Sequence, residues 1–276
     1  MRNTRSAPRP SLALAPLAAF ALAGAALLFA GGTPLRAQDL PPSFGQVDPD
    51  PDFLFRAPRV SVGVRGGMFF HRADSDLYDF AEENLTVDRS DFRGGSFGVE
   101  GGVFVGPRLE VTFSIDGSNV SLDSEYRDWV EDDGSAEGVP IRQTTELREG
   151  PAVSLGARWY VLERGESLGE LVWLPRAWNA FVGGGAGITG YDLELSGDFV
   201  SEGDGAISTE RFASSGSDFF PFVSGGLEVG LSRRTALVVE GRYRWASENL
   251  SPDFQGFAEP LDLSGHRLTA GLFFRL

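Results

Sequence analysis

The chain has 276 residues, a formal net charge of −15 and no cysteine. Strong acidity excludes nucleic acid as a partner, because phosphate contacts need cations, and the missing thiols exclude disulfides and lipoprotein anchoring. With 36 glycines, 22 phenylalanines and no apolar run of helix-spanning length beyond residue 37, the fold narrows to a soluble β-protein or a β-barrel.

Arg2, Arg5 and Arg9 precede an apolar run from Leu12 to Ala30, and Leu35-Arg36-Ala37 puts a small residue ahead of Gln38. A charged start, an apolar run and a small residue at the cut describe a cleaved secretory signal peptide over residues 1–37. The alternative, a retained membrane helix, is opposed by Pro10, Pro16 and the dominance of Ala and Gly. Residues 38–57, rich in Pro and Asp and without a period, read as a lead-in linker. Asp48, Asp50 and Asp52 alternate as calcium ligands do, but the glycine and distal glutamate of a calcium loop are missing.

From residue 58 to 276 apolar residues alternate with polar ones in eight segments, the period of a strand with two unlike faces. The expected strands cover about 59–71, 96–106, 108–115, 152–162, 178–189, 219–231, 236–245 and the closing stretch that stops at Leu276. The first sets Val60, Val62 and Val64 against Ser61, Gly63 and Arg65. The third sets Val111, Phe113 and Ile115 against Glu110, Thr112 and Ser114. Short connections at Gly106-Pro107, 163–177 and 232–235 alternate with long ones near 73–93, 117–146, 190–218 and 246–264. Glu170-Leu171-Val172-Trp173-Leu174, inside the second short connection, leaves open a ten-strand count.

The last strand carries the most specific signal. Leu268, Ala270, Leu272, Phe274 and Leu276 alternate with Arg267, Thr269, Gly271, Phe273 and Arg275. Thr269, Gly271, Phe274 and Leu276 fit the polar-x-Gly-x-x-aromatic-x-apolar ending that the outer-membrane barrel assembly machinery reads, although that ending more often closes on Phe. Together with the period and the alternation of short and long turns, it makes residues 58–276 resemble the small, OmpA-like outer-membrane β-barrels of Gram-negative cells. The resemblance implies an all-β, transmembrane, antiparallel up-and-down barrel of eight strands. Its short turns and linker would face the periplasm and its long loops the outside.

In such a barrel the glycine-rich polar faces look inward. Arg65, Glu100, Glu110, Arg158, Glu228, Glu240, Arg242, Arg244, Arg267 and Arg275 would then share the lumen, small neighbours leaving room for long ones. The set reads either as a paired plug that holds the strands together or as the lining of a narrow path for ions and small solutes. Trp159, Tyr160, Trp173, Trp178, Phe273 and Phe274 would mark one interfacial girdle. Phe69, Phe70, Tyr191, Phe219, Phe220, Tyr243 and Trp245 would mark the other.

The four long loops hold 26 of the 39 acidic residues, and Glu131-Asp132-Asp133-Gly134 reads as the tip of the longest. These carboxylates either stay solvated or bind divalent cations that bridge to lipopolysaccharide and other outer-membrane lipid. Some small barrels modify lipid A, and Ser264-Gly265-His266 is superficially suggestive, but its Ser–His order is the reverse of the deacylase pattern. No nucleophile motif, metal-ligand cluster or phosphate loop occurs. The expectation is therefore a non-enzymatic outer-membrane protein without cofactor, structural or surface-binding. The rivals are a narrow porin-like pore, a lipid A-modifying enzyme and an adhesin.

Overall fold

The computed structural model describes residues 53–131, 138–169, 171–201 and 205–276. The leader 1–37, residues 38–52 of the linker, Asp132–Gly134 of the expected loop tip and Glu170 lie outside these residues.

Period-2 segments become strands β1 (Val60–His71), β2 (Arg93–Phe104), β3 (Leu109–Glu131) and β4 (Val139–Tyr160). A small hairpin, β5 (Gly165–Leu168) and β6 (Val172–Pro175), follows. Then come β7 (Trp178–Val200), β8 (Ile207–Gly230), β9 (Thr235–Arg244), the two-residue β10 (Ser247–Glu248) and β11 (Leu261–Asp262), and β12 (Gly265–Arg275). Eight of them close a barrel in the order β1-β12-β9-β8-β7-β4-β3-β2. Each pairs antiparallel with its neighbour along the chain, and β1 pairs with β12 from Ser61↔Arg275 to His71↔Gly265. The backbone ladder therefore has no free edge around the closed ring.

The hairpin β5–β6 is a separate two-stranded sheet outside the ring, so the ten-strand alternative fails. Its Trp173 is buried and exchanges backbone hydrogen bonds of 2.9 and 2.8 Å with Leu54 of the lead-in. Four residues per strand are too few to join the ring.

Four strands run much further than alternation alone predicts. β3, β4, β7 and β8 span 23, 22, 23 and 24 residues, against the roughly 9–11 that a tilted strand needs to cross a bilayer. Segments 117–146 and 190–218, expected as loops, are therefore mostly strand. The reason is an inversion of amphipathicity. Along β3 every even residue from Glu110 to Tyr126 points inward. Up to Ile115 the apolar residues are the odd, outward ones. Beyond Gly117 they are the inward ones, with Val120 and Tyr126 buried and Ser121 and Asp123 outside. β7 repeats the switch between Ile188, outward, and Leu193 and Leu195, inward. β4 makes it across a register shift between Glu149 and Val153. Outward apolar residues are wetted by lipid; inward ones need a protein core.

That core caps the barrel at the long-loop end. Helix α1 (Asp76–Asn84) follows β1, and its Leu77, Tyr78 and Ala81 join Val120, Ile141, Leu147, Leu193, Phe254, Leu261 and Leu263 in one apolar cluster. Asp76 Oδ2 accepts the backbone N–H groups of Ala258 and Glu259 at 3.0 and 3.1 Å, tying α1 to the β9–β12 connection. A smaller cluster of Tyr160, Phe181, Val238 and Phe273 fills the short-turn end.

Candidate functional site: the charged lumen and its cap

All ten charged residues expected in the lumen are buried. They meet because strand parity turns each of them inward from a different part of the ring. Arg65 of β1 is the hub. Its guanidinium donates to Glu100 Oε2 of β2 at 2.8 Å, to both Asp116 oxygens of β3 at 2.8 Å, and to Glu240 Oε1 of β9 at 3.1 Å. Glu240 also accepts from Arg158 of β4 and from Arg242 Nε at 3.0 Å. Arg242 and Arg158 stack over the rings of Phe222 and Phe181, 4.1 and 4.8 Å from their centroids. Toward the short-turn end Arg275 donates to Glu228 at 2.6 Å, and Glu110 accepts from Ser61 Oγ at 2.5 Å. Tyr160 Oη lies 2.9 Å from carboxylate oxygens of both Glu110 and Glu228.

Two further acids were missed in the sequence. Asp116 pairs with Arg65 and, at 3.3 Å, with Arg267. Glu149 accepts from Arg244 and from Ser118 Oγ at 2.7 Å, with His71 Nε2 3.3 Å away. Both sit just outside the expected strands, Asp116 one residue after 108–115 and Glu149 ahead of 152–162. The inward series Glu110, Thr112, Ser114, continued one step, would have found Asp116. With these two the set holds six arginines and six carboxylates. Arg164, also missed in the sequence and buried over Phe104 and Tyr160 at the short-turn end, leaves the lumen with one cation in excess.

Glycines make the crossing of long side chains possible. A Cβ on Gly98 would collide with the Asp116 carboxylate, and one on Gly102 with that of Glu110. Where the ionic cluster meets the cap, Phe69, Phe220, Arg242, Arg244 and Arg267 line a cavity of about 10 Å³, room for about one water. In the cap, burial first, then the charges of Glu149 and Asp262, push the Tyr78 phenol well above its ordinary range. It therefore remains a donor, bonded to the Asp262 carbonyl at 3.1 Å.

The expected girdles divide by parity. Trp159, Trp178, Phe274, Phe70, Phe219 and Trp245 stand outward and exposed. Tyr160, Phe273, Phe69, Tyr191 and Phe220 turn into the lumen, because consecutive strand residues face opposite sides. In the C-terminal motif, Phe274 and Leu276 face outward while Thr269 and Gly271 face in. Ser264 and His266 part company: Ser264 Oγ bonds inward to Ala246 O at 3.1 Å, and His266 is exposed outside. Among the described residues no group of three His, Cys, Asp or Glu stands where it could hold a metal ion.

A closed ring with an apolar outside and a charged inside is built to cross a membrane with its strands. The fold is that of the small eight-stranded outer-membrane β-barrels. Several solved outer-membrane barrels align with this one. OprG from Pseudomonas aeruginosa is 11% identical, over 81% of this chain and 99% of its own, with a TM-score of 0.40. Neisserial surface protein A is 11% identical, over 79% and 96%, with a TM-score of 0.39. The N-terminal barrel domain of Pseudomonas aeruginosa OprF is 10% identical, over 80% and 100%, with a TM-score of 0.32. No family model and no curated protein matches the sequence.

Proposed function

We propose that this outer-membrane barrel is a closed anchor that carries an acidic, strand-built platform at the cell surface, with a structural or surface-binding role and no catalytic one. The observation that carries the reading is the double closure of the lumen. Seven arginines, Arg164 over Phe104 and Tyr160 included, and the six carboxylates named above fill the lower section, and the cap's apolar core fills the section above it. Eight strands leave an interior just wide enough for side chains, and here side chains occupy it. The opposite facing of Ser264 and His266 supports the non-catalytic side of the reading.

The test is conductance. In planar bilayers the refolded protein is expected to pass no steady ion current. Steady currents altered by Glu240→Gln or Arg242→Gln would establish the pore instead.

The same reading has the leader export the chain and the assembly machinery engage Thr269, Gly271, Phe274 and Leu276. It also has surface carboxylates meet lipopolysaccharide through divalent cations. Phe274 is 54% exposed on the lipid face of the closing strand. Phe274→Asp is expected to block insertion and leave unfolded chain in the periplasm, scored by fractionation and heat-modifiable gel mobility. Normal assembly of that variant would contradict the role given to the motif.

A further inference from the structure

At the long-loop margin of the lipid-facing band, four outward residues stand side by side on four strands. Tyr243 of β9 is the register partner of His266 of β12, His266 of Phe70 of β1, and Phe70 of Arg93 of β2. Beneath this row the outward face is apolar, with Met68, Leu268, Phe97 and Val239 exposed. The His266 and Tyr243 rings meet edge-on with centroids 4.6 Å apart, and Tyr243 and Trp245 do so at 4.8 Å.

Arg93 differs from the other arginines at this end. Arg72, Arg89, Arg127, Arg142, Arg148 and Arg211 each pair with a carboxylate. Exposed Arg93 has no such partner among the described residues. On the other four strands the outward row beyond Gly117, Gly190 and Ser217 is Asn119, Arg148, Asp192 and Ser215, with Arg148 held by Glu146. The uncommitted cation is therefore confined to one arc, at the boundary between lipid and water.

We propose that the arc Tyr243–His266–Phe70–Arg93 docks the phosphate of a phosphorylated glycolipid in the outer leaflet, its acyl chains lying down the apolar face below. The inference rests on the outer-membrane reading and adds a defined lipid site to it. A guanidinium offers a phosphate two parallel N–H donors, and the His266 imidazole, two strands away across Phe70, offers another. Aromatic rings with a polar tip favour this headgroup level. Where no divalent cation bridges, a chain of net charge −15 repels anionic lipid over most of its surface, so one basic arc would fix where such a lipid sits.

The experiment is native mass spectrometry of the refolded chain in detergent, titrated with bis-phosphorylated lipid A. Wild type is expected to hold one lipid A that Arg93→Gln weakens about tenfold, the loss of a charge-assisted contact. The Arg93→Gln/His266→Gln double variant loses it, and Arg148→Gln leaves it unchanged. Dephosphorylated lipid A should bind wild type no better than the double variant. Unchanged affinity in the double variant, equal binding of the dephosphorylated lipid, or displacement of lipid A by inorganic phosphate would each overturn the proposal. Insertion into phosphatidylcholine vesicles, followed by heat-modifiable mobility, separates the two readings. A wild type that fails to insert sinks both, and one that inserts yet binds lipid A independently of Arg93 and His266 sinks this one alone.

Discussion

Glu240→Gln is expected to destabilise the folded barrel by about 3–5 kcal/mol, the cost of removing one partner from a buried ionic cluster. Glu240 is the carboxylate shared by Arg65, Arg158 and Arg242. The amide keeps the shape and one acceptor but leaves three guanidiniums in the lumen with less opposing charge. Urea titrations of folding in phospholipid vesicles measure the loss. The double variant Glu240→Gln/Arg242→Gln removes one charge of each sign and is expected to recover part of it, a coupling that a double-mutant cycle isolates. Strictly additive losses would show that the cluster is not the electrostatic unit its geometry describes.

Leu155→Arg is expected to cost about 2–4 kcal/mol, the penalty for a cation at the middle of the lipid face of a barrel. Leu155 is 60% exposed, between Phe113 and Ala186 in register. Thr144→Arg, outward on the same strand but beyond the inversion and beside Asp123, is expected to change stability by less than about 0.5 kcal/mol. The pair locates the membrane margin on β4 by the same vesicle titrations. Equal costs at both positions would place lipid where the inversion places water.

The barrel was legible in the sequence because its membrane-level strands keep one simple rule: apolar side chains at alternate residues and small or charged ones between. Val111, Phe113 and Ile115 against Glu110, Thr112 and Ser114 show the rule, and it held in all eight ring strands. It failed at Gly117, Gly150 and Gly190, where the solvent outside changes from lipid to water and the apolar residues change sides. A reading tuned to one polarity takes such a switch for the end of the strand. Asp116 and Glu149 were lost at those margins for that reason.

By itself, then, the sequence determined the strand period and the inward facing of the ten charged residues it singled out, because parity along a strand is local. The lengths of the connections at 132–138 and 201–206 were decided by how far the strands run past the membrane. Only the tertiary structure decided which charges meet. Arg65 reaches Glu240 across 175 positions of chain, and ring closure alone brings β1 beside β12. It also decided that α1 and the β9–β12 connection fold together into a cap, since an apolar cluster drawn from distant segments has no signature in any one of them.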